Sequence, residues 1–318
     1  MHDSRKPQAG AAPFVSVILP TFNRLQYLPE AVRSVFAQTF DDWELLIADD
    51  GSETETKAYL QTLHDPPRVN VIHLPHTGKP AAVRNAALRQ ARGQYVAFMD
   101  SDDVWMPRKL EIQMASLRSH TDCEWSQTKF VLTDEGRNST REMPVVNGWI
   151  LGTLLNTATV VALPSVVASR ALLDRVGGFD EDLVMCEDYD LWLRLAATSP
   201  VDAIDEPLTI VRRHREHYGN PTTSFRDSLC VLEKALRSGT ASRFESSILR
   251  ERAKNSASLA RCYASSGNRG AAVRLLLSTT PSSWRHPGWW PEALKATAAV
   301  LAPQSLWSIV RKHRQARR

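Results

Sequence analysis

Three acidic residues within four positions, Asp100-Ser101-Asp102-Asp103, stand directly behind the apolar run Tyr95-Val96-Ala97-Phe98-Met99. Carboxylates this close repel one another, and a hard divalent cation with oxygen ligands is their usual compensation. An N-cap for a following helix accounts for one of them, and Asp103 is the one placed for it. Two more polar clusters follow apolar runs: Pro20-Thr21-Phe22-Asn23-Arg24 and Asp49-Asp50-Gly51-Ser52. Alone, Asp-Asp-Gly-Ser is a common turn. In an open parallel sheet, however, ligands collect beyond the carboxyl ends of the strands. Three such clusters in order along one edge therefore define a candidate site.

The elements that must position these clusters are legible from periodicity. Residues 15–19 form a short buried strand stopped by Pro20, and Leu28, Ala31, Val32, Val35 and Phe36 fall on one helical stripe. Residues 45–48, 69–74 and 95–99 read as strands, separated by helices over 54–63 and 80–92, the latter stopped by Gly93. This alternation predicts an α/β fold with a mostly parallel central sheet flanked by helices. Residues 130–132 and 160–167 are strand-like, a helix covers about 189–197, and the chain is helical from Asp227 onward. Within that part, residues 259–277 read as a helical hairpin turning at Gly267.

With 318 residues, 43% of them hydrophobic and 23% charged, the chain has enough apolar material for a sizeable core. Its four cysteines are far apart with no C-x-x-C pair, against a zinc site or a disulfide framework. Residues 1–12 are expected to be a disordered tail without the apolar core of a signal peptide, and no run reaches the roughly 18 apolar residues of a membrane span. The expectation is a cytoplasmic protein, peripheral at the inner face of the plasma membrane. Charge is divided: from Val231 to Arg318 there are 16 Lys/Arg against 4 Asp/Glu, whereas the front is acidic.

The ordered set of motifs resembles glycosyltransferase family 2. It comprises Pro20-Thr21-Phe22-Asn23-Arg24, Gln38-Thr39, Asp49-Asp50-Gly51-Ser52, Arg84-Asn85, Gly93 and Asp100-Ser101-Asp102-Asp103. Gly177-Gly178-Phe179-Asp180 and Glu187-Asp188-Tyr189-Asp190-Leu191-Trp192 extend it. The resemblance covers roughly residues 13–220 and implies a Rossmann-like GT-A catalytic domain over 13–225, followed by a helical region with a basic tail over 226–318. It implies transfer of a sugar from a nucleotide-sugar donor, of UDP type, to a glycan or lipid-linked acceptor hydroxyl, in cell-surface polysaccharide or lipopolysaccharide assembly. By similarity Asp50 contacts the uracil or ribose, with Thr21 and Asn23 beside it or merely closing a turn. Asp102 is the main ligand of Mn2+ or Mg2+, Asp100 points toward ribose or metal, and Ser101 lies in the donor site. Arg84 is read either as a partner of the diphosphate or as a solvated helix residue.

An acceptor hydroxyl is a poor nucleophile at neutral pH, so the transfer needs a base. Asp188 matches the family's base position, and the resemblance implies an inverting displacement. The helix N-terminus favours its charge, while Glu187 and Asp190 oppose it; Asp190 is expected instead to pair with Arg194 one turn on. His214, in Val211-Arg212-Arg213-His214-Arg215, is read as a contact to the donor diphosphate or as part of a bare surface loop.

Trp284, Trp289, Trp290 and Trp307, with the closing basic residues, read either as an amphipathic surface meeting anionic lipid or as a helical bundle with the tryptophans in its core. The core reading is preferred for the tryptophans and the lipid contact for the basic tail. Nucleic acid is not expected, since no recognition motif is present and the front is acidic. Two other readings compete: a sugar-nucleotide nucleotidyltransferase, which would want a glycine-rich loop where residues 20–24 have none, and an inactive glycosyltransferase-like scaffold. No G-x-G-x-x-G follows the first strand, which removes a dinucleotide oxidoreductase.

Overall fold

The computed structural model describes residues 12–134, 139–156, 161–213, 220–239, 241–286 and 289–302. The chain divides at residues 217/218 into two compact units.

In the first unit, β1 (Val15–Thr21) is an almost wholly buried run and forms the middle of a parallel group. It pairs with β2 (Trp43–Asp49) on one side and β4 (Tyr95–Phe98) on the other, and β3 (Val69–His73) pairs with β2. Burial on both faces explains why these strands read as continuous apolar runs. Thr21 is level with Asp49, and Phe98 with Ile18, so all three polar clusters emerge at the same edge. Three helices fill the crossovers: α1 (Leu28–Phe36), α2 (Thr54–Leu63) and α3 (Pro80–Gln90). Leu28, Ala31, Val32 and Val35 of α1 are buried as the stripe requires, but Phe36 is half exposed, its ring edge-on to Trp43.

After β4 the pairing changes. The described strands form one sheet in the order β3-β2-β1-β4-β8-β6-β9-β5, with β7 on β6. Here β5 is Val104–Trp105, β6 Trp125–Asp134, β7 Ser139–Met143, β8 Val166–Ser169 and β9 Val201–Arg213. β8 runs antiparallel to β4 and β6, while β9 runs parallel to β6. The parallel character therefore belongs to the first four strands and to the β6–β9 pair. The apolar stretch expected as one strand over 160–167 splits: Leu163–Ser165 is a 3-10 turn, and only from Val166 does the chain join the sheet. Pro164 has no N–H to give a ladder, which ends the strand there. Residue 160 lies outside the described residues.

Four helices complete this unit: α4 (Lys109–Ser119), α5 (Leu151–Leu155), α6 (Arg170–Val176) and α7 (Glu187–Thr198). Trp192 of α7 stacks on Trp125 of β6, centroids 6.0 Å apart, and meets Phe98 edge-on. Phe98 also packs against Phe179. The last residue of β4 thus organises the loop and helix that bring Glu187 and Asp188 to the β4 end.

The second unit is helical: α8 (Pro221–Arg237), α9 (Glu245–Ser265), α10 (Arg269–Ser283) and α11 (Trp289–Leu301). α8 begins six residues before the expected Asp227, with Pro221 in its first turn and Asn220 as its cap. The hairpin turns at Gly267, whose φ of 94° suits glycine. Its core is built from small residues, Ala260, Ala264, Ala272, Ala296 and Ala299. Of the tryptophans read as core or as lipid-facing, Trp289 is buried, while Trp284 and Trp290 are half exposed; Trp307 and the basic tail lie outside the described residues. Among the described residues no helix is long and apolar enough to cross a membrane.

Gly93 leads into β4 against the backbone of β1. A Cβ there would stand 2.5 Å from the Ser16 nitrogen and 2.9 Å from the Ser16 hydroxyl, which accepts the Gly93 N–H. Gly93→Ala is expected to cost about 1–3 kcal/mol of stability, the usual range for overpacking, read as a lower midpoint in urea unfolding.

Candidate functional site

The site begins with a guanidinium. Arg84 lies on α3 and is buried, and its two terminal nitrogens go to two carboxylates from distant parts of the chain. Nη2 donates to Asp100 Oδ1 at 2.8 Å, and Nη1 donates to Glu187 Oε1 at 2.6 Å. Its plane also lies 5.6 Å from the Phe179 ring centroid. Burial works against the charge, but Asp100 and Glu187 outweigh it, so Arg84 is held protonated more firmly than usual. The end of β4 and the start of α7 are thereby tied together. Arg84 is not a solvated helix residue, and both nitrogens expected to face a diphosphate are engaged within the protein.

Asp188 follows Glu187 in the first turn of α7. Its pKa is pushed up to about 7, chiefly by burial and then by the charge of Glu187; the Tyr189 N–H, 2.7 Å from Oδ1, and Arg84 pull the other way. Asp190 does not contribute, because it pairs with Arg194 at 2.6 Å. Asp188 is thus a carboxylate poised to exchange a proton near neutrality.

The acidic cluster after β4 divides its tasks. Asp100 is raised by burial and by the charge of Asp102, against the pull of Arg84. Asp103 is not a helix cap. α4 starts only at Lys109, after β5 intervenes, and Asp103 Oδ1 instead accepts the Arg212 N–H at 2.8 Å, joining the β4 end to β9. Burial and then Asp100 and Asp102 raise its pKa well above the carboxylate range. Among the described residues no three acidic, histidine or cysteine side chains form a ready-made cage for a metal. The chemistry of the donor set nevertheless fits Mn2+ or Mg2+. These ions take hard carboxylate oxygens, and a single carboxylate with substrate phosphates and water is a common way of holding Mg2+. Buried carboxylates that raise one another's proton affinity are those a cation would relieve. Asp102, with Asp100 beside it, would hold the ion.

On the β2 side, Asp50 grips the loop that leads into α3. Oδ1 accepts from the Thr77 backbone and hydroxyl at 2.8 and 2.9 Å, Oδ2 accepts from Gly78 N at 2.9 Å, and His76 Nδ1 lies 3.0 Å from Oδ2. His76 stacks on Phe22, centroids 4.1 Å apart, and closes over Gly51. Asn23, at φ 49°, caps Glu53 N through Oδ1 while its own N–H donates to Ser52 Oγ. The hydroxyl of Thr21 is buried with no partner among the described residues. Ser101 is buried beside the acidic pair. His214 lies outside the described residues.

Sequence reasoning noted Arg84-Asn85 and Gly177-Gly178-Phe179 without joining them. The Asn85 amide donates to Phe179 O at 2.8 Å, and its Oδ1 accepts Phe179 N–H at 3.0 Å. It also missed the role of Glu187 as the second partner of Arg84, and the 77–78 loop that holds Asp50. The only signal was that Arg84, Asn85, Phe179 and Glu187 stood inside motifs; residues 77–78 stood in none. Ser169 is level with Tyr95, so Arg170 lies at the edge opposite the site.

Comparison with known proteins bears on the family and the fold. Residues 16–175 match the model of glycosyl transferase family 2. An uncharacterized glycosyltransferase of Rickettsia conorii is 30% identical over 199 residues, 62% of this chain and 32% of that protein. The E. coli UDP-Glc:alpha-D-GlcNAc-diphosphoundecaprenol beta-1,3-glucosyltransferase WfgD is 30% identical over 60% of this chain and 73% of its own. The chain thus spans about a third of the length of its Rickettsia conorii relative but most of WfgD. Among solved structures, S. aureus TarS residues 1–349 with UDP superimposes with a TM-score of 0.62 at 19% identity, covering 95% of this chain and 91% of that one. A Pyrobaculum calidifontis mannosyltransferase with GDP-Man and Mn2+ gives 0.57 at 18%, covering 93% and 88%. The fold is that of the GT-A glycosyltransferases, and the chain belongs to glycosyltransferase family 2.

Removing the guanidinium leaves Asp100 and Glu187 buried without a counter-charge. Arg84→Met is expected to destabilise the protein by about 3–5 kcal/mol, and Arg84→Lys to recover only part, since one ammonium does not bridge two carboxylates as a planar fork does. Urea unfolding of the two variants checks this.

Proposed function

We propose that this chain transfers a sugar, with inversion, from a UDP-type nucleotide sugar to the hydroxyl of a lipid-linked glycan acceptor, in cell-surface polysaccharide assembly at the inner face of the plasma membrane. The observation that carries the reading is the Arg84 bridge, which sets the carboxylates after β4 beside Asp188 at one end of the sheet. The TarS complex with UDP, the mannosyltransferase complex with Mn2+ and the lipid diphosphate acceptor in the name of WfgD support the donor, metal and acceptor classes respectively.

In this reading Asp188 accepts the proton of the acceptor hydroxyl as its oxygen attacks the anomeric carbon from the face opposite the diphosphate. The bond from that carbon to the diphosphate oxygen breaks, and the diphosphate leaves with the electron pair. Mn2+ or Mg2+ at Asp102 would supply positive charge for the leaving group. Asp100 is oriented by Arg84, and Asp50 holds the 77–78 loop in place at the nucleoside end, beside Thr21, Asn23 and Ser101. A base must be ionised to work, so a pKa of about 7 lets Asp188 be charged at neutral pH and still basic.

Thermal-shift measurements with UDP and GDP, with and without Mn2+, test the donor site. Stabilisation by a nucleoside diphosphate is expected to require the metal and to vanish in Asp102→Ala; no metal-dependent response to either nucleotide would leave only the inactive-scaffold reading.

The base has its own signature. UDP release from the donor in the presence of acceptor is expected to rise as pH increases through about 7 and to level off above it, because only ionised Asp188 takes the proton. Asp188→Asn is expected to lose on the order of 100-fold or more in rate while retaining the metal-dependent nucleotide shift. Turnover at the wild-type rate would exclude Asp188 as the base.

A further inference from the structure

The second unit carries a surface that the transfer chemistry does not use. Of the ten large apolar side chains exposed among the described residues, six lie in α10, α11 and the turn between them: Val273, Leu277, Trp284, Trp290, Leu294 and Leu301. Their spacing is helical: 273, 277 and 284 recur on one side of α10 and its end, and 290, 294 and 301 on one side of α11. The helices are pinned side by side at both ends. Trp290 Nε1 donates to Trp284 O at 2.9 Å, and Arg269 Nη2 donates to Ala302 O. Other sides of both helices are used up, since Ala272, Leu276, Ala293, Ala296 and Ala299 pack with α9. Such a concentration of exposed apolar side chains marks a surface that meets a partner.

Charge decides which partner. Arg274 and Arg285 are exposed on α10 and the turn after it, and Arg285 lies over the Trp284 ring; Lys295 of α11 is exposed too but pairs with Glu292 at 2.6 Å. The chain continues from Ala302 with sixteen more residues that include five Lys/Arg and no Asp/Glu. Tryptophan and leucine on one face, bordered by basic groups, suit the boundary between lipid headgroups and acyl chains. We propose that the α10–α11 face is a docking surface for an anionic phospholipid bilayer, with its apolar side chains entering the interface and the basic groups meeting lipid phosphates. This deepens the membrane part of the function proposed above and rests on that reading only for why a membrane is met; the test below reads binding, not transfer.

Co-sedimentation of the full chain with vesicles of about one-third phosphatidylglycerol in phosphatidylcholine, against phosphatidylcholine alone, tests it. Binding to the anionic vesicles is expected, with a blue shift of tryptophan emission. The triple variant Leu277→Asp, Leu294→Asp, Leu301→Asp keeps the basic tail and is expected to weaken that binding about tenfold or more. Its circular dichroism and its response to UDP with Mn2+ should match the wild type, because the three side chains are exposed. The proposal fails if the wild type ignores anionic vesicles, or if the variant binds them equally well, the tail alone sufficing. It fails too if the variant changes only self-association in solution, which would make the face an interface between copies of this chain.

Discussion

A buried guanidinium shared between two carboxylates is stable only when all three groups stay in place. Arg84, Asp100 and Glu187 come from α3, the end of β4 and the start of α7, and each would be costly to bury alone. Their mutual satisfaction makes the geometry of the site a condition of folding. Asp188 inherits its position from Glu187, and Asp100 is held next to Asp102 by the same bond. Phe179 covers the guanidinium, and Asn85, the next residue on α3, fastens Phe179 through both of its backbone groups.

The acidic edge shows how one environment assigns different roles to similar side chains. Asp50 accepts N–H and O–H donors from the 77–78 loop with both of its oxygens and so serves to hold that loop. Asp188 has one near donor and lies beside Glu187, so its proton affinity rises. Asp190, only two residues on, points to Arg194 and serves the helix. Asp103 spends an oxygen on the backbone of β9 and so links the strand that leads out of the domain to the end of β4, beside Asp100 and Asp102.

Much of the first unit was legible in advance because its strands are buried on both faces and its helices carry regular apolar stripes. α2 runs over Thr54–Leu63 as expected, and β1 merely continues two residues past its expected end, since Pro20 needs no partner at the strand terminus. The mixed half was harder. An apolar run bounded by polar residues looks alike whether it becomes strand, turn or helix, and residues 160–167 were misread for that reason. A fully buried lysine is also invisible to such reading: Lys109 lies under the Trp105 ring and donates to Gln113, where burial holds its pKa well below the usual range.

Local patterning along the chain determined the alternation of strands and helices, the arrival of three polar clusters at strand ends, and the acidic pair that opens α7. These depend on residues near one another in sequence, where period and turn chemistry act directly. Which side chains meet was decided by the tertiary structure alone: Arg84 with Glu187, Asn85 with Phe179, Asp103 with Arg212. Partners about a hundred residues apart are set by strand order and by where each crossover helix packs, and no local periodicity encodes either. The same holds for the tryptophans of the second unit. Their composition fitted a core as well as a lipid-facing surface, and the packing divides them: small alanines of α9, α10 and α11 let the helices close together, with Trp289 inside and Trp284 and Trp290 turned outward.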